Sequence, residues 1–403
     1  MPLPLEGIRV LDWTVFQQGP VATAMLADLG ADVIKIEERV SGDPARATMR
    51  VVGAMFHMSG RNFYWENNNR NKRGITLDLK KPQGREIAHR LVQRSDVFVQ
   101  NFRRGVAERL GLDYDTLSHL NPRLIYASAN GFGSEGPDAD EPAFDYLALA
   151  RSGIMTTVGE PDMPPLRING AIADGAAAIM LAYAIMTALL VRERFGIGQQ
   201  VETSLLGSMI ALQSINVAAS TIVGEDFPRR RRSQVGNPLY SHYQCGDGKW
   251  LCLGMMHPDR YWRPFCRAVG LEDLENDPRF ATLEAMAEHG EELVTILDRL
   301  FASRPRAEWM KLLHEKGDFI FAPVNEVDDL AQDPQVLANG YIVDCPHPTW
   351  GLIKAVGIPV KFSRTPGSLR RAAPEFGQHT EEVLLEIGYS WEEIDRLRAE
   401  EVL

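Results

Sequence analysis

The first 130 residues alternate between short apolar runs and longer mixed segments. Ile8–Trp13 and Val33–Glu37 are apolar runs of strand length, and Gly19-Pro20 opens a helix-like segment that extends to Leu29. Proline near a helix start and a glycine just past its end, here Gly30, are the expected boundary residues. Strands that alternate with helices indicate an α/β fold with a parallel, doubly wound sheet. Further strands are predicted at 74–79, 97–101 and 123–128, and further helices at 82–94 and 115–120.

A long apolar run follows at 171–191, and Asp174 is its one charged residue. A membrane-spanning helix needs about 20 predominantly apolar residues. This run is rich in alanine, falls short of a span once Asp174 is passed, and follows ordinary polar sequence. We therefore interpret it as the central buried helix of the domain and expect no membrane association.

The pattern changes after Gln200. Residues 201–223 predict a long helix or a helix pair that leads away from the sheet, and 227–236, with its four consecutive arginines, predicts an exposed linker. Residues 237–320 mix short strands with helices, which predicts a smaller α+β domain. The tail is expected to hold a strand at 358–362 and a final helix at 391–400.

Composition narrows the classes of protein. The chain has 403 residues, 43 Lys and Arg against 54 Asp and Glu, and a formal net charge of −11. This length predicts two or three domains, and the negative charge argues against nucleic acid as the main partner. The four cysteines form neither a CxxC pair nor a disulfide framework, and we expect no secretory signal from residues 1–10, which lack a basic segment followed by an apolar run. A reducing cytoplasm is therefore the expected location.

Asp174 is the first candidate for chemistry, because it lies at the expected N-terminus of the long helix. One interpretation is a helix N-cap, for which aspartate is a favoured residue. The other is a nucleophile. The positive end of the helix dipole favours an ionised carboxylate even when it is half-buried, and such a carboxylate can attack an activated acyl group.

Two basic segments, 67–73 and 101–104, each lie beside a predicted strand. Ligands of open α/β sheets bind at the ends of the strands, where basic groups suit phosphates and Phe102 suits stacking on a base. Ordinary surface charge is the alternative for both segments. The stretch 131–136 matches GxGxxG, but Pro137 and Asp138 follow where a dinucleotide fingerprint needs an apolar helix, so we predict a flexible loop. The histidines form no HExxH pair, and no metal site is expected.

Ten sequence motifs, taken in order, resemble the family III CoA-transferases, the group that includes formyl-CoA and carnitine CoA-transferases. The resemblance covers nearly the whole chain and implies an open Rossmann-like large domain made from both chain ends, a smaller α+β domain, and an interlocked homodimer. On this basis we assign 1–200 to the first part of the large domain, 201–236 to a helical linker, 237–320 to the small domain, and 321–403 to a linker and the return to the large domain. The motifs lie at 5–12, 19–37, 71–73, 101–103, 121–126, 131–137, 172–175, 196–199, 322–324 and 377–380.

The resemblance implies that Asp174 is the catalytic nucleophile, which forms mixed anhydrides with the acids and a thioester with CoA. No metal, ATP or tightly bound cofactor is then needed, and acyl-CoA and a carboxylic acid are the substrates. Gln17 matches an active-site glutamine, and Asp145 matches an acidic position near the reacting thioester. The other residues expected to bind CoA are Arg39, Lys72, Arg73, Asn101, Phe102, Arg103 and Arg104.

The sequence also departs from members of this family. Glu38 stands where formyl-CoA transferases carry arginine, Arg104 stands where many members carry proline, and their four-glycine run is absent. A 2-methylacyl-CoA racemase is the alternative on the same fold. Racemases use a His of a Gly-His-Asp motif as a base, whereas Phe144 occupies that position here and cannot accept a proton. A non-catalytic CoA-binding protein and an NAD-dependent dehydrogenase are further alternatives, and the acids themselves stay open.

Overall fold

The protein is described by a computed structural model covering residues 1–47, 50–51, 54–55, 57–58, 60–225 and 227–403. The chain divides into two compact units. The first combines 1–155, 167–225 and 334–403, and the second combines 156–166 and 226–333. The second unit therefore starts earlier and ends later than the 237–320 predicted for a small domain, and it includes a short segment from the middle of the chain.

The first unit is built on a parallel sheet of six strands, counted within the described residues, in the order β6-β5-β4-β1-β2-β3. Val10 pairs with Val33 on one side and Val97 on the other. The central strands β1, β2 and β4 are mostly buried because helices cover both faces of the sheet. The strands are β1 (Arg9–Trp13), β2 (Asp32–Glu38), β3 (Arg73–Leu77), β4 (Val97–Gln100), β5 (Ile125–Asn130) and β6 (Gln199–Ser204).

Helices cover the two faces of this sheet. Leu11 and Ile34 point to one face, where they pack with α3, α15 and α16, which are Pro82–Val92, Thr380–Glu386 and Trp391–Ala399. Val10 and Val33 point to the other face, with α1 and α7, which are Gln18–Asp28 and Ile172–Phe195. The C-terminal helices thus complete the core begun by the N-terminal strands. The other helices of this unit are α2 (Phe63–Asn69), α4 (Val106–Leu110), α5 (Tyr114–Leu120), α6 (Asp145–Arg151), α8 (Leu205–Leu212), α9 (Ser214–Ala218) and α14 (Pro334–Ala338).

Two predictions about the elements of this unit are wrong. Gln199–Ser204 is an edge strand paired with β5, whereas residues from 201 onward were expected to be helical. The alternation of Val201 and Thr203 with polar residues is typical of such a strand. The predicted strand at 358–362 is irregular. An antiparallel hairpin instead precedes it, formed by Ile342–His347 and Gly351–Val356.

The second unit has its own core. A three-stranded antiparallel sheet, of His242–Gln244, Trp250–Leu253 and Phe321–Val324, packs with the helices around Phe265, Phe301 and Trp309. Its helices are α10 (Pro258–Val269), α11 (Leu283–Glu288), α12 (Gly290–Phe301) and α13 (Arg306–Lys316).

The arginine run 229–232 belongs to the second unit and is bound to it. The Arg229 guanidinium donates hydrogen bonds to the carbonyl oxygens of Thr156 and Met163, and Arg232 pairs with the Asp298 carboxylate at 2.7 Å. The Arg229 contacts hold the early segment 156–166 onto the later residues of the unit. The run therefore has a structural role in addition to its partial exposure.

The helix α7 is one-sided. Leu181 and Ile185 are fully buried against the sheet, whereas Ile179, Tyr183 and Leu190 are more than half exposed. In the part of the chain that the structure describes, α7 is the one unbroken helix long and apolar enough to cross a membrane. The pair Leu205–Leu212 and Ser214–Val223, bent by 80°, meets the same criterion when taken together.

Candidate active site

A cleft of about 1640 Å³ opens at the carboxyl ends of the parallel strands. It is lined by the residues that follow β1, β2, β3 and β4 and by the N-termini of α6 and α7. This edge is where open α/β sheets bind ligands, because the loops that leave the strands converge there. The volume exceeds the roughly 300–1000 Å³ of most small-molecule pockets, so an elongated ligand fits.

Asp174 lies in this cleft, in the first turn of α7. An N-cap at Asp174 would place the first helical residue at Gly175, but α7 begins at Ile172, about one turn earlier. The cap position is held by Ala171, whose φ of 51° places it in the left-handed region. The Asp145 carboxylate caps the helix from outside, because its Oδ1 accepts hydrogen bonds from the backbone N–H groups of Ala173 (2.7 Å) and Asp174 (3.3 Å). Asp174 is therefore not the cap, and its carboxylate is left for chemistry.

Burial governs the protonation of these two carboxylates. Burial, followed by the negative charge of Asp145, raises the pKa of Asp174 to about 7. Burial also raises the pKa of Asp145, although the two N–H bonds and the Arg167 charge oppose it. The sequence led us to expect an ionised carboxylate at Asp174, whereas burial raises the pKa of this group toward neutrality. A carboxylate with a raised pKa is a more basic nucleophile than an ordinary one.

Tyr64 lies in the same cleft, at the start of α2, and nothing in its sequence context indicated it. Burial, and after it the charge of Asp174, raises the pKa of the Tyr64 hydroxyl. The phenol therefore stays protonated and can donate a hydrogen bond near the reacting group. Gln17 also lines the cleft, directly before α1. The next residue, Gln18, lines it too, and its buried Nε2 has no hydrogen-bond partner among the described residues.

The backbone loop that carries Gln17 is held by side chains from other elements. The Asn101 amide both accepts from the Val15 N–H and donates to the Val15 carbonyl, each at 2.8 Å. Phe16, with a φ of 64°, donates its N–H to Asp43, and its carbonyl accepts from Asn68. We call these three side chains the loop clamp. They hold a strained conformation that an isolated loop would leave.

The predicted binding residues after β4 line the cleft together. The Phe102 ring packs on Trp13 with centroids 4.2 Å apart, and Phe102 also lines the cleft. Arg103 and Arg104 are exposed, and the Arg104 guanidinium lies 3.8 Å from Asp140. Arg39 follows β2, pairs with Glu401 at 3.4 Å and is not among the cleft residues.

Lys72 and Arg73 are not brought to the cleft. Lys72 is fully buried, and its Nζ donates to Asp12 and to two further oxygens, while burial lowers its pKa to about 8. Arg73 starts β3, at the opposite end of the sheet, where it binds Asp32, Glu382 and Glu386. The physical reason is the direction of the strand: its amino end points away from the edge where the ligand loops gather. The structure thus opposes the expectation that these two groups contact CoA.

Phe144 stands at the rim of the cleft, 59 % exposed and edge-on to Phe16. This is the position at which a racemase would present an imidazole, so the cleft has a ring there that moves no proton. Among the residues that the structure describes, no group of three or more His, Cys, Asp and Glu side chains is arranged to hold a metal ion.

The family model of CoA-transferase family III matches residues 5–380, and the chain belongs to this family. It is 36 % identical to the succinate–glutarate CoA-transferase of Agrobacterium fabrum, over 95 % of this chain and 96 % of the relative. It is 32 % identical to the (R)-2-hydroxy-4-methylpentanoate CoA-transferase of Clostridioides difficile, over 99 % of both chains. The crystal structure of a CAIB/BAIF family protein from Brucella suis matches with a TM-score of 0.85 and 30 % identity, over 96 % of this chain and all of that one. The protein is therefore an enzyme, a CoA-transferase that uses CoA thioesters as substrates.

Proposed function

We propose that this CoA-transferase moves CoA between two carboxylic acids through covalent intermediates on Asp174. The observation that carries the proposal is a carboxylate in the cleft, at the amino end of α7, with the neighbouring backbone N–H groups held by Asp145 rather than by Asp174. A nucleophile must be free of such structural bonds to react.

The reaction proceeds in four displacements. A carboxylate oxygen of Asp174 attacks the thioester carbonyl of the donor. The C–S bond breaks, the CoA thiolate departs, and a mixed anhydride forms between Asp174 and the donor acyl group. The thiolate then attacks the aspartyl carbonyl and releases the donor acid, which leaves an aspartyl-CoA thioester. The acceptor carboxylate attacks this thioester and expels the thiolate, which gives a second anhydride. Attack of the thiolate on the acceptor carbonyl releases acyl-CoA and restores Asp174.

Neighbouring groups support these steps. Each attack builds negative charge on a carbonyl oxygen, which hydrogen-bond donors stabilise. The Tyr64 hydroxyl and the Gln17 and Gln18 amides line this cleft, and we propose them as donors to these oxygens. Phe102, Arg103 and Arg104 are proposed to bind the adenine and phosphates of CoA, since they line the same cleft beyond β4. No tightly bound cofactor enters this scheme.

The experiment is covalent trapping. The enzyme is incubated with acyl-CoA and then with hydroxylamine or borohydride, and the labelled peptide is mapped by mass spectrometry. The label is expected on Asp174 in the wild type, on Asp174 in Asp145→Asn, and nowhere in Asp174→Asn. Label on another residue, or an Asp174→Asn protein with full exchange activity, would disprove the mechanism.

The assembly and location of the enzyme belong to the same proposal. A homodimer is supported by the exposed apolar side chains of α7. A reducing cytoplasm is supported by the four free cysteines, Cys245, Cys252, Cys266 and Cys345.

A further inference from the structure

Arg167 is a cleft residue that the mechanism leaves unused. Its side chain lines the cleft, and its Nε is buried with no hydrogen-bond partner. Within the described residues, none of the ion pairs or hydrogen bonds involves its guanidinium. A guanidinium keeps its charge at any physiological pH, and leaving a buried N–H of a charged group without a partner is unfavourable. An anion that enters the cleft would supply the missing partner.

The contacts of Arg167 orient it for such an anion. Its guanidinium carbon lies 4.8 Å from the centroid of the Tyr146 ring. A cation–π contact of this kind fixes the guanidinium on the ring, and its N–H groups remain available to bind a carboxylate in the bidentate manner typical of arginine.

The position of Arg167 in the cleft indicates whether it would bind a phosphate of CoA or a carboxylate of the acid substrate. Its charge acts on the Asp145 carboxylate, and Asp145 in turn accepts the backbone N–H of Asp174. Arg167 therefore belongs to the end of the cleft where the acyl group reacts. The phosphates of CoA are separated from the thioester by the pantetheine arm, so the anion near Asp145 comes from the acid substrate.

We propose that Arg167 binds the second carboxylate of a dicarboxylic acid whose first carboxylate reacts at Asp174. This inference rests on the proposed function and adds the substrate class to it. The carbon chain between the two carboxylates would lie in the cleft that Arg167 and Asp174 both line. A monocarboxylic acid of equal length would leave the guanidinium unpaired and would react more slowly.

Isotope exchange of an acid into its own CoA thioester tests this proposal, because it needs no second acid. Three pairs of equal chain length are compared: succinate with butyrate, glutarate with pentanoate, and adipate with hexanoate. For the best pair, kcat/KM of the wild type is expected to favour the dicarboxylate by about 30-fold, the range of a charge-assisted hydrogen bond. In Arg167→Gln the dicarboxylate rate should fall by about 30-fold and the monocarboxylate rate should stay within about threefold. Arg167→Lys should recover part of the loss.

The matched control is Arg151→Gln. The Arg151 guanidinium also lies over an aromatic ring, that of Phe132 at 4.6 Å, but it pairs with Asp138 outside the cleft lining. The Arg151→Gln enzyme should prefer dicarboxylates to the same degree as the wild type. An equal loss of both acids in Arg167→Gln would assign Arg167 a structural role and overturn the proposal. A wild type that exchanges both kinds of acid at equal rates and is still labelled on Asp174 would also overturn the proposal. That result would leave the proposed function intact. Failure of exchange together with failure of trapping would overturn both.

Discussion

At the scale of single residues, the site depends on two neighbouring carboxylates with different tasks. Asp145 is engaged by backbone N–H groups, and Asp174 is not. Since burial and the Asp145 charge raise the pKa of Asp174 to about 7, only part of the enzyme holds an ionised nucleophile near neutral pH. The same burial makes the ionised form more reactive, because it lacks the water shell that weakens a free carboxylate.

The first prediction concerns the pH dependence of catalysis. The attack needs ionised Asp174, so kcat/KM should rise with pH through a pKa of about 7 in the wild type. In Asp145→Asn the side-chain oxygen still accepts the two N–H bonds, but the negative charge is gone. Removing a like charge lowers the pKa of Asp174, so the rising limb should move to lower pH. Because burial is the larger cause, the pKa should stay above the ordinary 3.8. A pH–rate profile measures both values.

The control for this profile is Glu135→Gln. Glu135 is an exposed carboxylate that also lines the cleft, and it is not among the groups that shift the pKa of Asp174. The rising limb of the pH–rate profile of Glu135→Gln should coincide with that of the wild type. An Asp145→Asn limb that moves to higher pH would contradict the assignment of Asp145 as the charge that acts on Asp174.

The sequence alone identified those site residues whose role is indicated by the residues next to them in the chain. Asp174 could be found because it interrupts an apolar run, and Phe102 because it follows a strand at the ligand-binding edge. Tyr64 and Arg167 gave no such signal, since only the tertiary fold brings α2 and the residues before α7 to the cleft. Lys72 shows the opposite case. Its charge and its place beside a strand predicted a CoA-binding residue, but its ammonium group forms a buried ion pair with Asp12.

At the scale of elements, the cleft depends on how the loop after β1 is held. The loop clamp draws its side chains from separate segments, with Asn101 after β4, Asp43 after β2 and Asn68 on α2. The buried Lys35 adds a bond from its Nζ to the Thr14 carbonyl at 2.7 Å. The backbone that precedes Gln17 is therefore held by side chains from other segments of the sheet domain.

The second prediction tests the clamp through Asn101→Ala. The change leaves the Val15 N–H and carbonyl without partners in a half-buried loop, which should cost about 2 kcal/mol of unfolding free energy. It should also lower kcat at least tenfold at a temperature where the protein is folded, because Gln17 loses its fixed position. Denaturant unfolding and steady-state kinetics measure the two effects.

Asn121→Ala is the matched variant. The Asn121 amide donates to two backbone carbonyls, those of Val92 (3.1 Å) and Ser95 (2.8 Å), away from the cleft. It should lose stability to a similar degree and keep kcat within about twofold of the wild type. If both variants lowered kcat equally, the loss would come from general instability and the clamp would have no role in catalysis.

The elements themselves were predicted where the pattern is local. The strands β1 and β2 and the helix α7 follow from apolar runs bounded by glycine and proline. The strand β6 was missed because its alternation is short and lies next to apolar helical sequence, and only pairing with β5 decides its state. The hairpin at 342–356 was missed for a related reason: its side chains are mostly exposed, so no core imposes a strong apolar period.

At the scale of the whole molecule, the exposed face of α7 has no partner within the described chain. Ile179, Tyr183 and Leu190 are 54 %, 67 % and 57 % exposed, and their spacing places them on one side of the helix. A contiguous apolar face on a protein surface marks an interaction site. A second copy of the chain is the simplest occupant, because two-fold symmetric pairing covers the same face on both chains.

The third prediction is a homodimer that depends on this face. Analytical ultracentrifugation of the wild type should give twice the chain mass of 45.0 kDa. The double variant Tyr183→Glu and Leu190→Glu places like charges opposite each other across a two-fold interface, so it should shift the protein to monomer. Trp391→Glu, at an exposed position that starts α16 on another side of the sheet, should remain a dimer. A monomeric wild type would contradict the prediction. A wild type that co-sediments with lipid vesicles and loses this binding in the double variant would assign the face to a membrane surface instead.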